Sequence, residues 1–304
     1  MIWANLLHLG LNMWCDRYDP SWGTTDITGM PHIRFDMELW DELKPRMRDA
    51  GLNMVIIDLG EALKYKSHPE IPVADAWEID KLKGELVQLR QMGLEPIPKL
   101  NFSATHDLWL GKYSRMVSTP EYYQVCADLI NEVSDIFDKP RFFHLGMDEE
   151  QIEHYANHEY VVIRQYDLWW HDFLKLVSTV EANGAKAWIW SDYIWNHHDI
   201  FAERMPKSVL QSNWYYGDEF GEDAQYVKAY HDLEKLGYDQ VPTGSNFGIP
   251  TNFELTVDYC SKIISLDKLK GFMQTPWKAT LNQYRDHHLA AIEQVERARK
   301  KLEG

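Results

Sequence analysis

The residues best placed to do chemistry stand together in His144-Leu-Gly-Met-Asp148-Glu149. Adjacent carboxyl groups suit acid–base work because like charges hinder joint ionisation, and an apolar or aromatic surround raises a carboxyl pKa further. The same letters also suit a helix start, with Asp148, Glu149 and Glu150 as cap and acidic first turn. The choice between the two depends on the element that carries the segment.

Short apolar runs at 2–14, 53–60, 94–102, 141–149, 185–193, 209–216, 240–247 and 269–277 predict strands. Amphipathic stretches at 36–49, 79–92, 120–137, 165–183, 199–204, 223–236, 253–265 and 285–302 predict helices. Gly51, Gly93, Gly184 and Gly237 each follow a helical pattern and precede a strand, where a left-handed cap is wanted. Eight strand–helix units in alternation imply parallel strands, and at 304 residues closure is favoured over an open sheet. The expected fold is α/β, a single (β/α)8 TIM barrel spanning 1–304 as one catalytic domain. The spare residues at 16–34, 64–77 and 103–118 follow strands, at the end where barrel active sites are built.

Period-two alternation predicts which strand residues face the barrel axis. They are His8, Gly10, Asn12 and Trp14; Ile56, Asp58 and Gly60; Lys99, Asn101 and Ser103; His144, Gly146 and Asp148; Trp188, Trp190 and Asp192; and Gln211, Asn213 and Tyr215. A purely structural barrel would fill these positions with branched aliphatics. Polar groups converging from six strands, costly to bury without a purpose, predict a polar pocket that contains Asp148 and Glu149.

Composition narrows the partner. A formal charge of −16 opposes phosphate backbones and anionic lipid, so neither nucleic acid nor a membrane is an expected partner. Thirteen tryptophans suit the apolar faces of sugar rings, although large aromatics also fill cores. Cys15, Cys126 and Cys260 are far apart and read as buried thiols. With no basic leader or membrane-length apolar run, the chain reads as cytoplasmic, and an exported protein with its signal peptide removed would look the same.

The His144–Glu149 segment resembles the His-x-Gly-x-Asp-Glu motif of glycoside hydrolase family 20, the β-N-acetylhexosaminidases, where it ends barrel strand 4. The resemblance implies that Glu149 is general acid/base and that Asp148 orients the substrate's own 2-acetamido group, which attacks the anomeric carbon. It also implies substrate contacts from His106, from Trp190, Trp214 and Trp277, and from Tyr215 or Tyr216. Two features depart from that family. That family usually has a small α/β domain before the barrel, whereas this sequence opens directly at strand 1. The Arg expected near the end of that strand is not in it, Arg17 lying beyond.

The remaining candidates divide. Asn101, His144 and Asp192 read as substrate-binding, Asp192 alternatively as a partner of His106, and Trp188 as core. Asp58 and Glu61 could hold sugar hydroxyls or serve the loop. Lys99 is expected to pair with Asp58 or Asp148. The pairs His197-His198 and His287-His288 point apart on a helix and make poor chelates. No metal or other cofactor is expected. Two other classes stay open: a metal-dependent sugar isomerase using Asp148, Glu150, Asp192 and histidines, and a silent carbohydrate-binding barrel.

Overall fold

The computed structural model describes residues 1–17, 27–156, 158–221 and 223–304. Eight strands alternate with helices: β1 (Ile2–His8), β2 (Met54–Asp58), β3 (Glu95–Lys99), β4 (Phe142–His144), β5 (Lys186–Trp190), β6 (Leu210–Ser212), β7 (Thr243–Gly244) and β8 (Gly271–Gln274). The helices are α1 (Met37–Asp49), α2 (Ile79–Gln91), α3 (Pro120–Ile136), α4 (Ile152–Tyr155), α5 (Tyr166–Ala182), α6 (Tyr193–Arg204), α7 (Gln225–Lys235), α8 (Asn252–Ile263) and α9 (Arg285–Glu303). All strand pairs are parallel, in the order β6-β5-β4-β3-β2-β1-β8-β7. Bridges at Gln211–Gln240 and Trp214–Thr243 bring β6 to β7 and close the ring. The expected (β/α)8 barrel is therefore the observed one.

The strands are shorter than the alternation predicts. Residues 145–148 stay buried after the β4 ladder has ended at His144, so apolar patterning outlasts the hydrogen bonding. Helix α6 begins at Tyr193, earlier than the expected 199, because Tyr193-Ile-Trp195 reads as a strand end by residue type. The short α4 has no periodic signature. Gly51 and Gly184 take φ of 83° and 81° behind α1 and α5, as their positions demand. No helix among the described residues is long and apolar enough to cross a membrane.

Two cores support the site. Leu7, Val55, Ile57, Leu86, Leu129 and Phe173 belong to the shell between strands and helices. Ile2, Ala4, Leu6, Met54, Ile56, Ile97, Phe142, Trp188 and Met273 plug the barrel interior. Directly above that plug, register aligns His8 with Asp58, Asp58 with Lys99, and Lys99 with His144. Lys99, fully buried, ion-pairs with Asp58, and His8 Nδ1 lies 3.4 Å from the same carboxylate. Burial pushes the Asp58 carboxyl up, but Lys99 and His8 outweigh it and hold the group below its ordinary range. Burial keeps the His8 imidazole neutral. Burial and then the Lys99 charge do the same for His144.

Candidate active site

Past β4 the backbone turns left-handed at Gly146 (φ 72°), Met147 (φ 73°) and Glu149 (φ 57°). A Cβ at Gly146 would lie 2.0 Å from Asn101 Oδ1, so glycine is what lets Asn101 enter the turn. Asn101 Oδ1 accepts from Ser103 N (3.0 Å) and Met147 N (3.3 Å), and its Nδ2 donates to Asp148 Oδ1 at 2.8 Å. One amide thus joins the loops after β3 and β4. Left-handed non-glycine residues cost about 1–3 kcal/mol each and persist only where surroundings over-determine them. Here Asp192 Oδ2 accepts from Glu149 N (2.8 Å), and Thr105 Oγ1 donates to Glu149 O (3.0 Å).

The two carboxyl groups have different surroundings. Asp148 is buried, with His106 Nδ1 at 3.8 Å from Oδ1. Glu149 is more open, and its Oε2 meets His106 Nε2 and His154 Nε2, each at 3.2 Å. Burial disfavours a charged His106, but the Asp148 field and the Glu149 hydrogen bond win and lift it to about 9. Burial likewise opposes the Glu149 carboxylate, and His106 followed by His154 overcomes it and holds the group below its ordinary range. Burial, then the charges of Asp148 and Glu149, push Asp192 well above the carboxylate range.

These groups open into a cavity of about 290 Å³ lined by Trp14, Trp214, Tyr216, Phe247 and Trp277 with Asp148, Glu149 and His154. Trp277, itself at φ 51°, donates from Nε1 to Tyr216 Oη at 2.8 Å. Trp214 stacks on Tyr216 with centroids 5.1 Å apart. Burial holds the Tyr216 phenol protonated. Among the described residues, the cavity has aromatic walls, one hydroxyl donor and two carboxyl groups.

The expected site residues fall in layers. Asp148, Glu149, Trp214 and Trp277 line the cavity. Asn101, His106 and Asp192 hold the two carboxyl residues from behind. Trp190 is buried beneath, its ring 5.8 Å from Trp277 and 4.6 Å from His144. His144 accepts from Gly146 N at 3.1 Å, and Asp58 is taken up by Lys99. Trp188 is core, donating to Ser212 Oγ.

Strand 6 corrects the alternation. Leu210, Ser212, Trp214 and Tyr216 face inward, while Gln211, Asn213 and Tyr215 face out. Tyr215 packs on Phe220 and Tyr226, so the pocket phenol is Tyr216. The ladder covers only Leu210–Ser212, too few residues to anchor the phase of alternation from sequence. Glu150 turns away to a buried pair with Arg164 at 2.6 Å, which removes it from the ligand set considered for a metal. Glu61 accepts from Leu11 N and Asn12 N, a loop role. Asp192 bonds the Glu149 backbone rather than His106. His197 stacks on Tyr193 while His198 turns to Asp199, and His287 and His288 bond different carbonyls. Arg17 is exposed, and the guanidinium at the end of β1 is that of Arg34, donating to Leu11 O at 2.9 Å. Sequence reasoning passed over His154, Thr105, Phe247 and Arg34. Among the described residues, His106, Asp148 and Glu149 also offer three ligand atoms within 4.8 Å of one another.

No protein-family model matches this sequence, and no curated protein is similar to it. Solved structures do share the fold. A β-N-acetylhexosaminidase from Bacteroides fragilis superposes with a TM-score of 0.65 at 13% identity, over 95% of this chain and 65% of its own. A Flavobacterium johnsoniae chitobiase gives 0.65 at 15%, over 88% and 48% respectively. Dispersin B gives 0.61 at 13%, over 97% of this chain and 98% of its own. The chain thus spans about two-thirds and about half the length of the first two. Its barrel has the architecture found in glycoside hydrolase family 20.

Proposed function

We propose that this barrel is a retaining, exo-acting glycosidase that cleaves terminal β-N-acetylhexosaminides with help from the substrate's acetamido group. The observation that carries the reading is the adjacency of Asp148 and Glu149 at the mouth of β4, separately held and facing one aromatic cavity. Glu149 protonates the leaving oxygen. The acetamide oxygen closes on the anomeric carbon to form an oxazolinium, and Glu149 then takes a proton from the attacking water. Asp148 accepts a hydrogen bond from the acetamide N–H, and Tyr216, whose oxygen already accepts from Trp277, donates a hydrogen bond to the acetamide oxygen. The proton for the first step is carried by the His106–Glu149 pair, whose histidine stays charged up to about pH 9.

Glu149→Gln is expected to lower hydrolysis of an aryl N-acetyl-β-glucosaminide by about 10²–10⁴-fold with binding retained. A thiazoline mimic of the oxazolinium should inhibit tightly. An active enzyme that ignores the thiazoline rules out substrate assistance, and sugar binding without turnover of any aryl glycoside supports a silent lectin-like barrel. The His106, Asp148 and Glu149 cluster is the observation that favours a metal-dependent enzyme, a reading that chelator-resistant activity removes.

A further inference from the structure

His154 has no place in the reading above, although it touches the acid. It sits on α4, one turn past the motif, and α4 is tied to the acid's own backbone because Gln151 N donates to Glu149 O at 2.7 Å. Its Nε2 reaches Glu149 Oε2 at 3.2 Å, on the oxygen that His106 also takes. The two imidazoles are not equivalent. His106 is 1% exposed and turns Nδ1 to Thr105 Oγ1 at 3.0 Å, whereas the His154 side chain is 32% exposed and lines the cavity. His154 Nδ1 is buried and has no hydrogen-bond partner among the described residues.

We propose that His154 is a second positioning residue for Glu149: its imidazole holds Oε2 through Nε2, fixes the carboxyl and leaves Oε1 to carry the catalytic proton. This rests on the reading of Glu149 as the acid. His106 supplies charge and His154 supplies direction. The groups that share this field are His106, Asp148, Asp192, Tyr216 and, beyond α4, His158.

The test compares wild type, His154→Ala and His154→Gln by carboxyl NMR titration, with the Glu149 resonance assigned by its loss in Glu149→Gln. Losing the contact in His154→Ala should raise the Glu149 titration by about one pH unit, a tenfold change in its proton affinity. The basic limb of kcat/KM should move up with it, and kcat should fall about tenfold with KM little changed. His154→Gln, which keeps a donor, should restore both. An unchanged titration in His154→Ala, a Gln variant that behaves like Ala, or a rise in KM alone overturns the proposal. Absence of hydrolysis in the wild type with the titration shift intact overturns the glycosidase reading and still supports the contact.

Discussion

The two mouths of the barrel differ in a way that volume does not reveal. The N-terminal mouth holds the larger cavity, about 760 Å³, bounded by Glu95, Arg141, Lys186, Asp239 and Lys270. There the charges neutralise one another at the surface: Arg141 meets Glu95 at 2.6 Å, and Asp239 meets Lys186 at 3.1 Å and Lys270 at 3.2 Å. At the C-terminal mouth the cavity is about 290 Å³, yet its carboxyl groups are sunk among aromatics and held by amide and imidazole. Left-handed residues gather there at Met147, Glu149 and Trp277. The candidate site is thus the mouth where buried charge is held at a conformational cost.

Four measurements break or sharpen that contrast. Lys99→Met leaves Asp58 buried against neutral His8 and should cost about 3–5 kcal/mol in urea unfolding, since removing one member of a buried pair strands the other. A smaller effect comes from His106, whose folded value of about 9 exceeds the unfolded 6.5. Its stabilisation is complete below the unfolded value and is lost as pH rises through the folded one. Unfolding free energy should therefore drop by an amount on the order of 3 kcal/mol between those limits, and His106→Asn should flatten the slope. Gly146→Ala forces a Cβ toward Asn101 in a left-handed position, for a loss of about 1–3 kcal/mol and weakened catalysis. Smallest is Arg141→Ala at the other mouth, where an exposed pair contributes below about 1 kcal/mol and kcat should not change.

Much of this was legible in the sequence, for identifiable reasons. A (β/α)8 barrel repeats one unit, so strand periodicity and a glycine behind a helix recur often enough to fix the order of elements. Alternation located Asp58, Lys99, Asn101 and His144 because their strands or flanking residues stay in register with long neighbours such as β1 and β2. It failed at β6, where the ladder is three residues long and the chain leaves it before the aromatics Trp214, Tyr215 and Tyr216. His154 left no trace, since a four-residue helix has no period and its partner is chosen by a turn three residues earlier. Arg34 was hidden by distance, reaching β1 across a loop rather than from the strand.

The seam between β6 and β7 has one more consequence. β1 and β2 run in register for five residue pairs, whereas β6 and β7 meet only at isolated bridges, and Trp214 is one of the bridging residues. Amide exchange in a folded protein begins where such bonding is sparsest. A local opening there would carry away the wall that Trp214 and Tyr216 form while the helical shell stayed packed. On the carboxyl side the β3–β4 ladder is also short, a single pair at Lys99 and His144. There, however, Asn101, Ser103 and Thr105 tie the two following loops together, so the aromatic wall is the side of the pocket where a local opening meets less resistance.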